Sequence, residues 1–440
     1  MKKPLLLLVL LGSVSFEGSS QWDVLPGAPV PASRINDVFF LDASTGWIAS
    51  GAGVIYRTTD AGLSWQLQFQ KSGTHFRSIG FADNLNGWAG CLGIGDPNNP
   101  SSTDTTILYR TVNGGATWVR DPGVSGAVPR GFCGMQVVND TVVYGVGRVR
   151  GPATLYRSFD GGGTWLTKDM SEHAAGLIDV RFFGPDTGFA VGLTHSDHTQ
   201  SGGVVLRTTD RGETWTAVHT TLRTGEWCWK ISFPSRSVGY VSLQRNSQSP
   251  VYVLKTTDGG STWSEKLFSQ SNYFVQGIGF VTDSLGWIGG NSSLSPYVTT
   301  DGGESWSATT IGRRVNRFRF IDKTIGYAAG ETVYAYRPEQ TTVALIADVR
   351  HHRAGSIGYP NPFNPSTTIR FTVPPELTTT PVTLIIYDAL GREVARLIDD
   401  ELEGGTYERS WSPADQSSGT YYYRLTMGGK SDAQKLVLIR

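Results

Sequence analysis

An aspartate and a tryptophan recur five residues apart in segments such as RTTDAGLSW (57–65). A carboxylate beside hydroxyl groups and an aromatic ring could act as an acid, a base and a platform for a ligand. Six such segments follow one another, and their fourth position is Asp60, Asn113, Asp160, Asp210, Asp258 and Asp301. Because asparagine replaces aspartate once, the position requires a hydrogen-bond acceptor and not an acid. The pattern therefore favours a structural turn over an active site.

Each segment predicts a tight turn between two strands. The Asp or Asn side chain is expected to accept hydrogen bonds from backbone N–H groups two or three residues further on. The tryptophan is large enough to seal the gap between the turn and the neighbouring strands. A glycine with positive φ is expected at Gly62, Gly115, Gly163, Gly212, Gly260 and Gly303.

The spacing of these segments predicts the architecture that positions them. Their separations are 53, 47, 50, 48 and 43 residues, and an apolar strand followed by a GW-type turn, as in INDVFF (35–40) and TGW (45–47), occurs seven times. A period of 40 to 50 residues with four strands is typical of a propeller blade. The sequence thus predicts an all-β chain with a seven-bladed propeller over residues 21–337. The seventh blade lacks the segment, so we expect Trp22–Leu25 to pair beside Val333–Arg337 and close the ring.

Composition limits the possible functions. Lys+Arg and Asp+Glu both number 38, so the formal net charge is zero. This balance argues against nucleic-acid binding, which needs a concentrated basic surface. Known cofactor fingerprints such as a P-loop or a Rossmann glycine pattern are missing from the sequence, and no cofactor is expected. Cys91, Cys133 and Cys228 are interpreted as buried hydrophobes, although a Cys91–Cys133 pair stays open.

The two ends of the chain predict export. Residues 1–20 combine Lys2 and Lys3 with an apolar run and small residues, which indicates a signal peptide and a mature start near Gln21. No later segment is apolar and long enough to span a membrane. Residues 338–356 are expected to form a linker. Residues 357–440 contain alternating strands bounded by turn residues, which predicts a small Ig-like β-sandwich.

Two resemblances follow from these motifs. The six segments resemble the Asp-box (BNR) repeats of sialidases, and the blade pattern resembles photosystem II stability/assembly-factor-like propellers. The C-terminal order YPNPFNPSTTI, YDALGREV, GTYYYRL and KLVLIR resembles the type A sorting domain of the type IX secretion system. The second resemblance implies that this machinery is a partner and that the protein is secreted or attached to the cell surface of a Gram-negative bacterium. An ordinary Ig-like spacer domain is the alternative.

The resemblance to sialidases and xyloglucan-type hydrolases raises a glycosidase as the alternative function. Glycoside hydrolysis needs two carboxyl groups in one cleft, or a tyrosine with a glutamate. Glu172 and Glu226 are candidates, and Asp37 and Asp179 are expected to line the channel as solvated or hydrogen-bonded residues. Arg34 matches only the start of the sialidase Arg-Ile-Pro motif. HSDH (195–198) contains metal-ligand residue types, but its spacing matches no known site, and no metal is expected.

The boxes of related families lie on the face away from the ligand, so we expect binding on the opposite face. That face is built from loops that enter each first strand and loops between second and third strands. Arginine beside aromatic residues is typical of interface hot spots. The sequence thus favours a non-catalytic module that binds a protein or polysaccharide. The candidate ligand-binding residues are Arg77, Arg130, Glu226, Trp227, Lys230, Tyr273 and Arg317.

Overall fold

The computed structural model describes residues 22–25, 27–95, 100–124, 131–246, 248–291, 293–337, 357–373, 379–388, 392–427 and 430–439. The predicted signal peptide (1–20) and linker (338–356) lie outside these residues. The chain divides into two compact units, Met1–Gln340 and Thr341–Arg440. Both units are built from β-strands, so the all-β prediction is confirmed.

The first unit contains strands β1 to β28. Strand β1 (Trp22–Val24) precedes the first blade, which contains β2 (Ile35–Phe40), β3 (Gly46–Ser50), β4 (Val54–Thr58) and β5 (Gln66–Gln70). The second blade contains β6 (Phe76–Phe81), β7 (Gly87–Cys91), β8 (Leu108–Thr111) and β9 (Val119–Arg120). The third contains β10 (Gly134–Val137), β11 (Val143–Gly147), β12 (Thr154–Ser158) and β13 (Leu166–Asp169).

The remaining blades follow the same order. The fourth contains β14 (Gly176–Phe182), β15 (Gly188–Leu193), β16 (Gly203–Thr208) and β17 (Thr216–Thr220). The fifth contains β18 (Glu226–Ser232), β19 (Gly239–Arg245), β20 (Val251–Thr256) and β21 (Ser264–Ser269). The sixth contains β22 (Val275–Phe280), β23 (Gly286–Gly290), β24 (Tyr297–Thr299) and β25 (Ser307–Ala308). The seventh contains β26 (Arg317–Phe320), β27 (Gly326–Ala329) and β28 (Val333–Tyr336).

Among the described residues these strands form seven four-stranded antiparallel sheets, as the repeat count predicts. The seventh sheet has the order β1-β28-β27-β26, with Trp22 opposite Tyr336 and Val24 opposite Tyr334. The predicted closure by the N-terminal segment is therefore confirmed. Second strands such as β3 are buried along their whole length, whereas the outer strand β5 is mostly polar and exposed. This gradient follows from blade packing, because only the outermost strand faces water.

Aromatic side chains join each blade to the next. In most blades the aromatic residue of the GW-type turn packs on the phenylalanine at the end of the first strand of the following blade. Tyr144 of the third blade, for example, stacks on Phe182 of the fourth with ring centroids 3.6 Å apart. Tyr327 of the seventh blade stacks on Phe40 of the first at 3.4 Å. The ring is thus sealed twice, by this stack and by β1. Stacked rings of this kind add a contribution beyond the apolar area that they bury.

The Asp-box turns differ from the prediction in two details. Asp60 Oδ1 accepts from the backbone N–H of Ser64, four residues on, because Thr58 Oγ1 already accepts from Gly62 N at 2.9 Å. The turn is therefore built by a threonine and an aspartate together. In the third box the glycine two residues after the aspartate is Gly162, which has a φ of 76°, and not Gly163 as predicted. The other five predicted glycines have positive φ.

The second unit is a sandwich of two sheets. Its strands are β29 (Ile357–Tyr359), β30 (Thr367–Val373), β31 (Thr380–Asp388), β32 (Glu393–Leu402), β33 (Gly405–Trp411), β34 (Gly419–Met427) and β35 (Lys430–Leu438). The described strands form the sheets β29-β30-β33 and β32-β31-β34-β35. Phe371, Leu384, Trp411 and Tyr423 belong to one buried core shared by both sheets. The inward alternation of these residues agrees with the predicted sandwich pattern.

Candidate functional site

The first strands of the seven blades border a central channel. Each contacts the first strand of the next blade, and β26 contacts β2. Because the first and third strands of a blade run in the same direction, the box turns lie on the face where the first strands end. We call this the box face, and we call the opposite face, where the first strands begin, the entry face.

A repeated β-bulge sets which side chains reach the entry end of the channel. The register between the first and second strands shifts between Ile35 and Asp37, and equivalent shifts occur in β6, β14, β18 and β22. A bulge leaves one residue out of the ladder and re-aims its side chain. Four of the residues that these register shifts leave out of the ladder line a cavity on the entry face. They are Asn36, Arg77, Trp229 and Gln276.

The entry-face cavity has a volume of about 450 Å³. We call it the arginine cavity, because Arg34, Arg77, Arg150 and Arg314 line it. The remaining described lining residues carry no carboxylate and are Ser33, Asn36, His75, Leu92, Val149, Trp227, Trp229, Gln244, Asn246, Phe274, Gln276 and Asn291. Four guanidinium groups without a carboxylate in the lining make this cavity electropositive.

Two arginines and two tryptophans form one stack in the cavity wall. Arg77 lies 5.4 Å above the Trp229 ring, and Arg150 lies 5.7 Å above the Trp227 ring. The two indoles stack with centroids 5.8 Å apart. Trp227 and Trp229 are only 2% and 5% exposed. The indole faces therefore hold the guanidinium groups in place and offer little open surface to a ligand.

Buried nitrogen atoms in the cavity have unused hydrogen-bonding capacity. Arg34 Nη1, Arg77 Nε and Arg150 Nε are buried without a hydrogen-bond partner in the described part of the chain. Arg34 Nε donates to Asn36 Oδ1 at 3.0 Å, so the Arg34 side chain is held at one atom and free at another. An unpaired buried donor is unfavourable, and an incoming acceptor would relieve that cost.

The pKa values of His75 and Arg34 are lowered in this cavity, partly by the positive charges of neighbouring arginines. Burial, together with Arg77 and Arg34, lowers the pKa of His75 to about 3. Burial, Arg77 and Arg314 lower the pKa of Arg34 well below its usual value. His75 is neutral at physiological pH, and its Nε2 lies 3.2 Å from Asn36 Nδ2. Both pKa shifts have the sign expected for buried groups among positive charges, and a bound anion would oppose them.

A cluster of ion pairs crosses the channel below the arginine cavity. Arg317 Nε lies 2.8 Å from Asp37, and Arg317 Nη1 lies 3.2 Å from Asp179. Lys230 Nζ lies 3.5 Å from Asp179. Burial raises the pKa of Asp179, but Arg317 and Lys230 outweigh that effect and lower it overall. Both carboxylates also accept from the next blade, Asp37 from Ile79 N and Asp179 from Ile231 N.

This cluster determines what Asp37 and Asp179 can do. A general acid needs a raised pKa, whereas the Asp179 carboxyl is ionised by its cationic neighbours. The two side chains are at most 3% exposed. They join the first strands of neighbouring blades and anchor Arg317 from the seventh blade. The interpretation of both as hydrogen-bonded channel residues agrees with these contacts.

The seven candidate ligand-binding residues do not form a single site. Arg77 and Trp227 line the arginine cavity, whereas Lys230 and Arg317 belong to the ion cluster. Glu226 is fully buried, and Arg223 donates to both of its carboxylate oxygens. Tyr273 is 3% exposed, and its hydroxyl donates to Ser295 O. Arg130 lies outside the described residues. The structure therefore gathers two of these seven residues in the cavity, and their roles in binding stay predictions.

Several cavity residues were not among the candidates from the sequence. Arg34 has only a partial match to a sialidase motif in the sequence, and Arg150 lies in a loop between a second and a third strand. Arg314 and His75 lie just before the first strands β26 and β6, in the same entering segments that supplied Arg77, so the same positional rule could have found them. The bulge that re-aims Asn36 and Gln276 has no signature in the sequence, because it depends on pairing with the second strand.

The other candidate acids and ligands lie elsewhere. Glu172 is exposed in a loop of the third blade. Asp197 of the HSDH segment accepts from Thr199 N and Thr199 Oγ1, and His198 Nδ1 lies 3.0 Å from Arg150. Among the described residues, no group of three or more His, Cys, Asp or Glu side chains is placed to hold a metal ion. The three cysteines are buried and unpaired, so the Cys91–Cys133 disulfide does not form in this structure.

Comparisons with known proteins match both units. Residues 358–439 match the secretion system C-terminal sorting domain, and residues 297–308 match the BNR/Asp-box repeat. The sorting domain implies export by the type IX secretion system, to the medium or to the cell surface. No helix in the described parts of the chain has the length and apolar character needed to cross a membrane.

The propeller is similar to photosystem II assembly proteins. The chain is 26% identical over 146 residues to the photosystem II assembly protein Ycf48 of Synechococcus sp. (strain JA-3-3Ab), an alignment that spans 33% of this chain and 40% of that relative. The solved structure of YCF48 bound to D1 peptide matches with a TM-score of 0.54 and 18% identity, over 73% of this chain and 98% of that one. An ancestral GH74 enzyme matches with a TM-score of 0.53 and 12% identity, over 96% and 64%.

The structural matches, at identities below 25%, show a shared fold and leave activity open. The box repeat, the seven sheets and the likeness to Ycf48 agree with each other, and the tail match is independent of them. The first unit is therefore a seven-bladed β-propeller with Asp-box turns that is similar to Ycf48, and residues 358–439 match the secretion system C-terminal sorting domain.

Proposed function

We propose that this protein is an exported, non-catalytic binding module whose arginine cavity takes a carboxylate of a peptide or protein ligand. The observation that carries the proposal is the lining itself: four arginines, three of them with buried unpartnered nitrogen atoms, and no carboxylate among the described lining residues. Guanidinium groups suit carboxylates because they can donate two parallel hydrogen bonds.

A peptide fits the cavity better than a neutral sugar. Binding of a sugar ring uses the open face of an aromatic side chain, whereas Arg77 and Arg150 cover the Trp229 and Trp227 rings. A carboxylate needs only donors, which the cavity supplies. The Ycf48 structure that this chain resembles was solved with a bound peptide, and this supports a peptide ligand here. An acidic glycan is the competing ligand in the test below.

The glycosidase alternative lacks a suitable pair of acids in the arginine cavity and in the ion cluster below it. The arginine cavity has no carboxylate lining it, and Asp37 and Asp179 are buried and paired with cations. Hydrolysis requires one carboxyl group that holds its proton and a second that stays ionised, both beside the sugar. A panel of fluorogenic glycosides tests this alternative directly, and turnover above that of the Asp37→Asn variant would support it.

The binding test uses the mature full-length chain and a library of short peptides measured by fluorescence polarisation. Each peptide is presented with a free C-terminal carboxylate and as its amide, and acidic oligosaccharides form a separate arm. We expect peptides with a free carboxylate to bind. Arg77→Gln should lower their affinity at least tenfold, which equals about 1.4 kcal/mol of binding free energy. Arg236→Gln is the matched control, because it removes the same charge from an exposed turn on the box face.

Three results would contradict the proposal. Equal binding of amidated and free peptides without acidic side chains would exclude carboxylate recognition. Equal losses of peptide affinity in Arg77→Gln and Arg236→Gln would indicate a general effect of charge and not a site in the arginine cavity. Selective binding in the oligosaccharide arm would assign the cavity to a glycan.

A further inference from the structure

The channel opens on the box face into a second cavity of about 340 Å³. We call it the box-face cavity, and its charged lining residues are Arg181, Arg317, Arg319, Lys323, Asp179 and Asp322. The ion cluster formed by Arg317, Asp37 and Asp179 lies between it and the arginine cavity. The two cavities therefore present separate binding environments at opposite ends of the channel.

The carboxylates of the box-face cavity are already engaged. Asp179 pairs with Arg317 and Lys230 inside the channel. Asp322 accepts from the backbone N–H groups of Thr324 and Ile325 and so holds its own turn. With Arg317 and Lys230 balancing Asp37 and Asp179, the remaining charges are Arg181, Arg319, Lys323 and Asp322, which leaves a net positive charge at the mouth.

Arg181 and Arg319 occupy matching positions in their blades. Arg181 follows Asp179 by two residues on β14, and Arg319 follows Arg317 by two residues on β26. Successive side chains of a strand alternate, so both arginines point to the channel side like the cluster residues above them. Burial and the Arg319 charge lower the pKa of Arg181, and Asp179 only partly opposes them. The two guanidinium groups thus repel each other across the mouth.

The hydrogen bonds of these arginines are incomplete. Arg181 Nε and Arg319 Nε are buried and have no hydrogen-bond partner within the described ranges. Arg319 Nη2 reaches Asp37 only at 3.4 Å, and Asp37 is already held by Arg317 at 2.8 Å. Buried donors and like charges that face one another are both relieved by an anion placed between them.

We propose that the box-face cavity is a second anion site, in which Arg181 and Arg319 bind a phosphate or sulfate group. Two guanidinium groups at the mouth suit a tetrahedral oxyanion, whose several oxygens can accept from both at once. At ~30 Å³ for each water molecule, the cavity holds roughly ten, which exceeds one inorganic ion. It therefore also admits a phosphate monoester with a small organic group.

The test is isothermal titration of the mature full-length protein with inorganic phosphate, sulfate and glycerol phosphate, with chloride at matched ionic strength. We expect saturable binding of the oxyanions and at least tenfold weaker binding by Arg181→Gln. Arg120→Gln is the matched control, because it removes the same charge from the exposed outer strand β9 and Arg120 lines neither cavity, so this affinity should stay unchanged. Binding of glycerol phosphate with the same dependence on Arg181 would show that the site takes a terminal phosphate group as well as the free ion.

A second measurement separates binding from folding. In phosphate-free, low-salt buffer, Arg181→Gln should unfold at the same or a higher temperature than the wild type, because the repulsion from Arg319 is gone. Added phosphate should raise the unfolding temperature of the wild type and of Arg120→Gln more than that of Arg181→Gln. The proposal is overturned if phosphate gives no saturable heat, or if Arg181→Gln binds it as tightly as the wild type. Neither result depends on the peptide ligand proposed for the arginine cavity.

Discussion

Replacement of Asp60 separates a structural box from a catalytic one. Asp60 Oδ1 accepts from Thr58 Oγ1 at 2.8 Å and from Ser64 N at 2.9 Å, and Asp60 Oδ2 accepts from Ser64 Oγ at 2.6 Å. Asp60→Ala removes both acceptor atoms and with them all three hydrogen bonds. Hydrogen bonds to a charged group contribute about 1.5–3 kcal/mol each when they are dry, but this turn borders water, which replaces much of the loss. We expect a total destabilisation of roughly 1–2 kcal/mol.

The second blade supplies the matched control. Asn113 Oδ1 accepts from Thr111 Oγ1 at 3.0 Å and from Thr117 N at 2.9 Å, while Asn113 Nδ2 donates to Thr117 Oγ1 at 2.9 Å. An amide therefore reproduces every contact of the carboxylate. We expect Asp60→Asn to lose less than half of the stability that Asp60→Ala loses, as measured by urea unfolding of the mature chain at pH 7.

The pH dependence adds an independent check. Hydrogen bonds from Ser64 and Thr58 lower the pKa of Asp60. Since the folded pKa lies below the unfolded one, the carboxylate stabilises the fold above the unfolded value, and this contribution disappears as the pH falls through the folded value. The difference between wild type and Asp60→Asn should therefore shrink below about pH 4. If Asp60→Ala abolishes ligand binding or turnover with unchanged stability, the structural interpretation of the box is wrong.

Two further predictions concern the channel and the ring closure. Burial and Arg317 lower the pKa of Lys230 to about 8 in the folded protein, whereas the unfolded chain keeps this proton up to about pH 10.5. The free energy of unfolding of the wild type should therefore rise between pH 8 and 10 by an amount on the order of 2 kcal/mol. Lys230→Met should lack this rise, and identical pH profiles of the two proteins in urea unfolding would refute the assignment. Trp22 is 4% exposed and lies within 5.9 Å of the rings of Trp287, Phe318, Phe320 and Tyr336. Trp22→Ala should therefore lower the free energy of unfolding in urea by about 3–5 kcal/mol. Val24 on the same strand is 57% exposed, so Val24→Ala should lower it by less than about 0.5 kcal/mol. Equal effects of the two substitutions would show that β1 does not close the ring.

The repeat was readable from the sequence because each box is a local structure. Thr58, Asp60, Gly62 and Ser64 make their bonds within seven residues, so the same residue types must recur wherever the turn recurs. The closure by Trp22–Val24 was also readable, because a blade without its outer strand leaves an unpaired edge. The misplacement of the third glycine arose from three consecutive glycines (161–163), among which spacing alone did not identify the residue equivalent to Gly62.

The candidate site was only partly readable. Arg77 and Trp227 were found because they enter first strands, but Glu226 in the same kind of position is bound by Arg223 and buried. Nothing in the residue types distinguishes a free side chain from a paired one. The partner of Arg317 in the first blade, Asp37, lies 280 residues away, and only the closed ring brings the two together.

The sequence by itself determined the blade count, the box turns, the closing strand and the sorting domain, since each depends on a periodic or local pattern of residue types. The tertiary structure alone decided which arginines share a cavity, which carboxylates are neutralised and how the channel is divided in two. The physical reason is that these properties depend on distances between side chains of different blades. Those distances are set by ring closure and by the first-strand bulges, and neither is encoded in the spacing of residues along the chain.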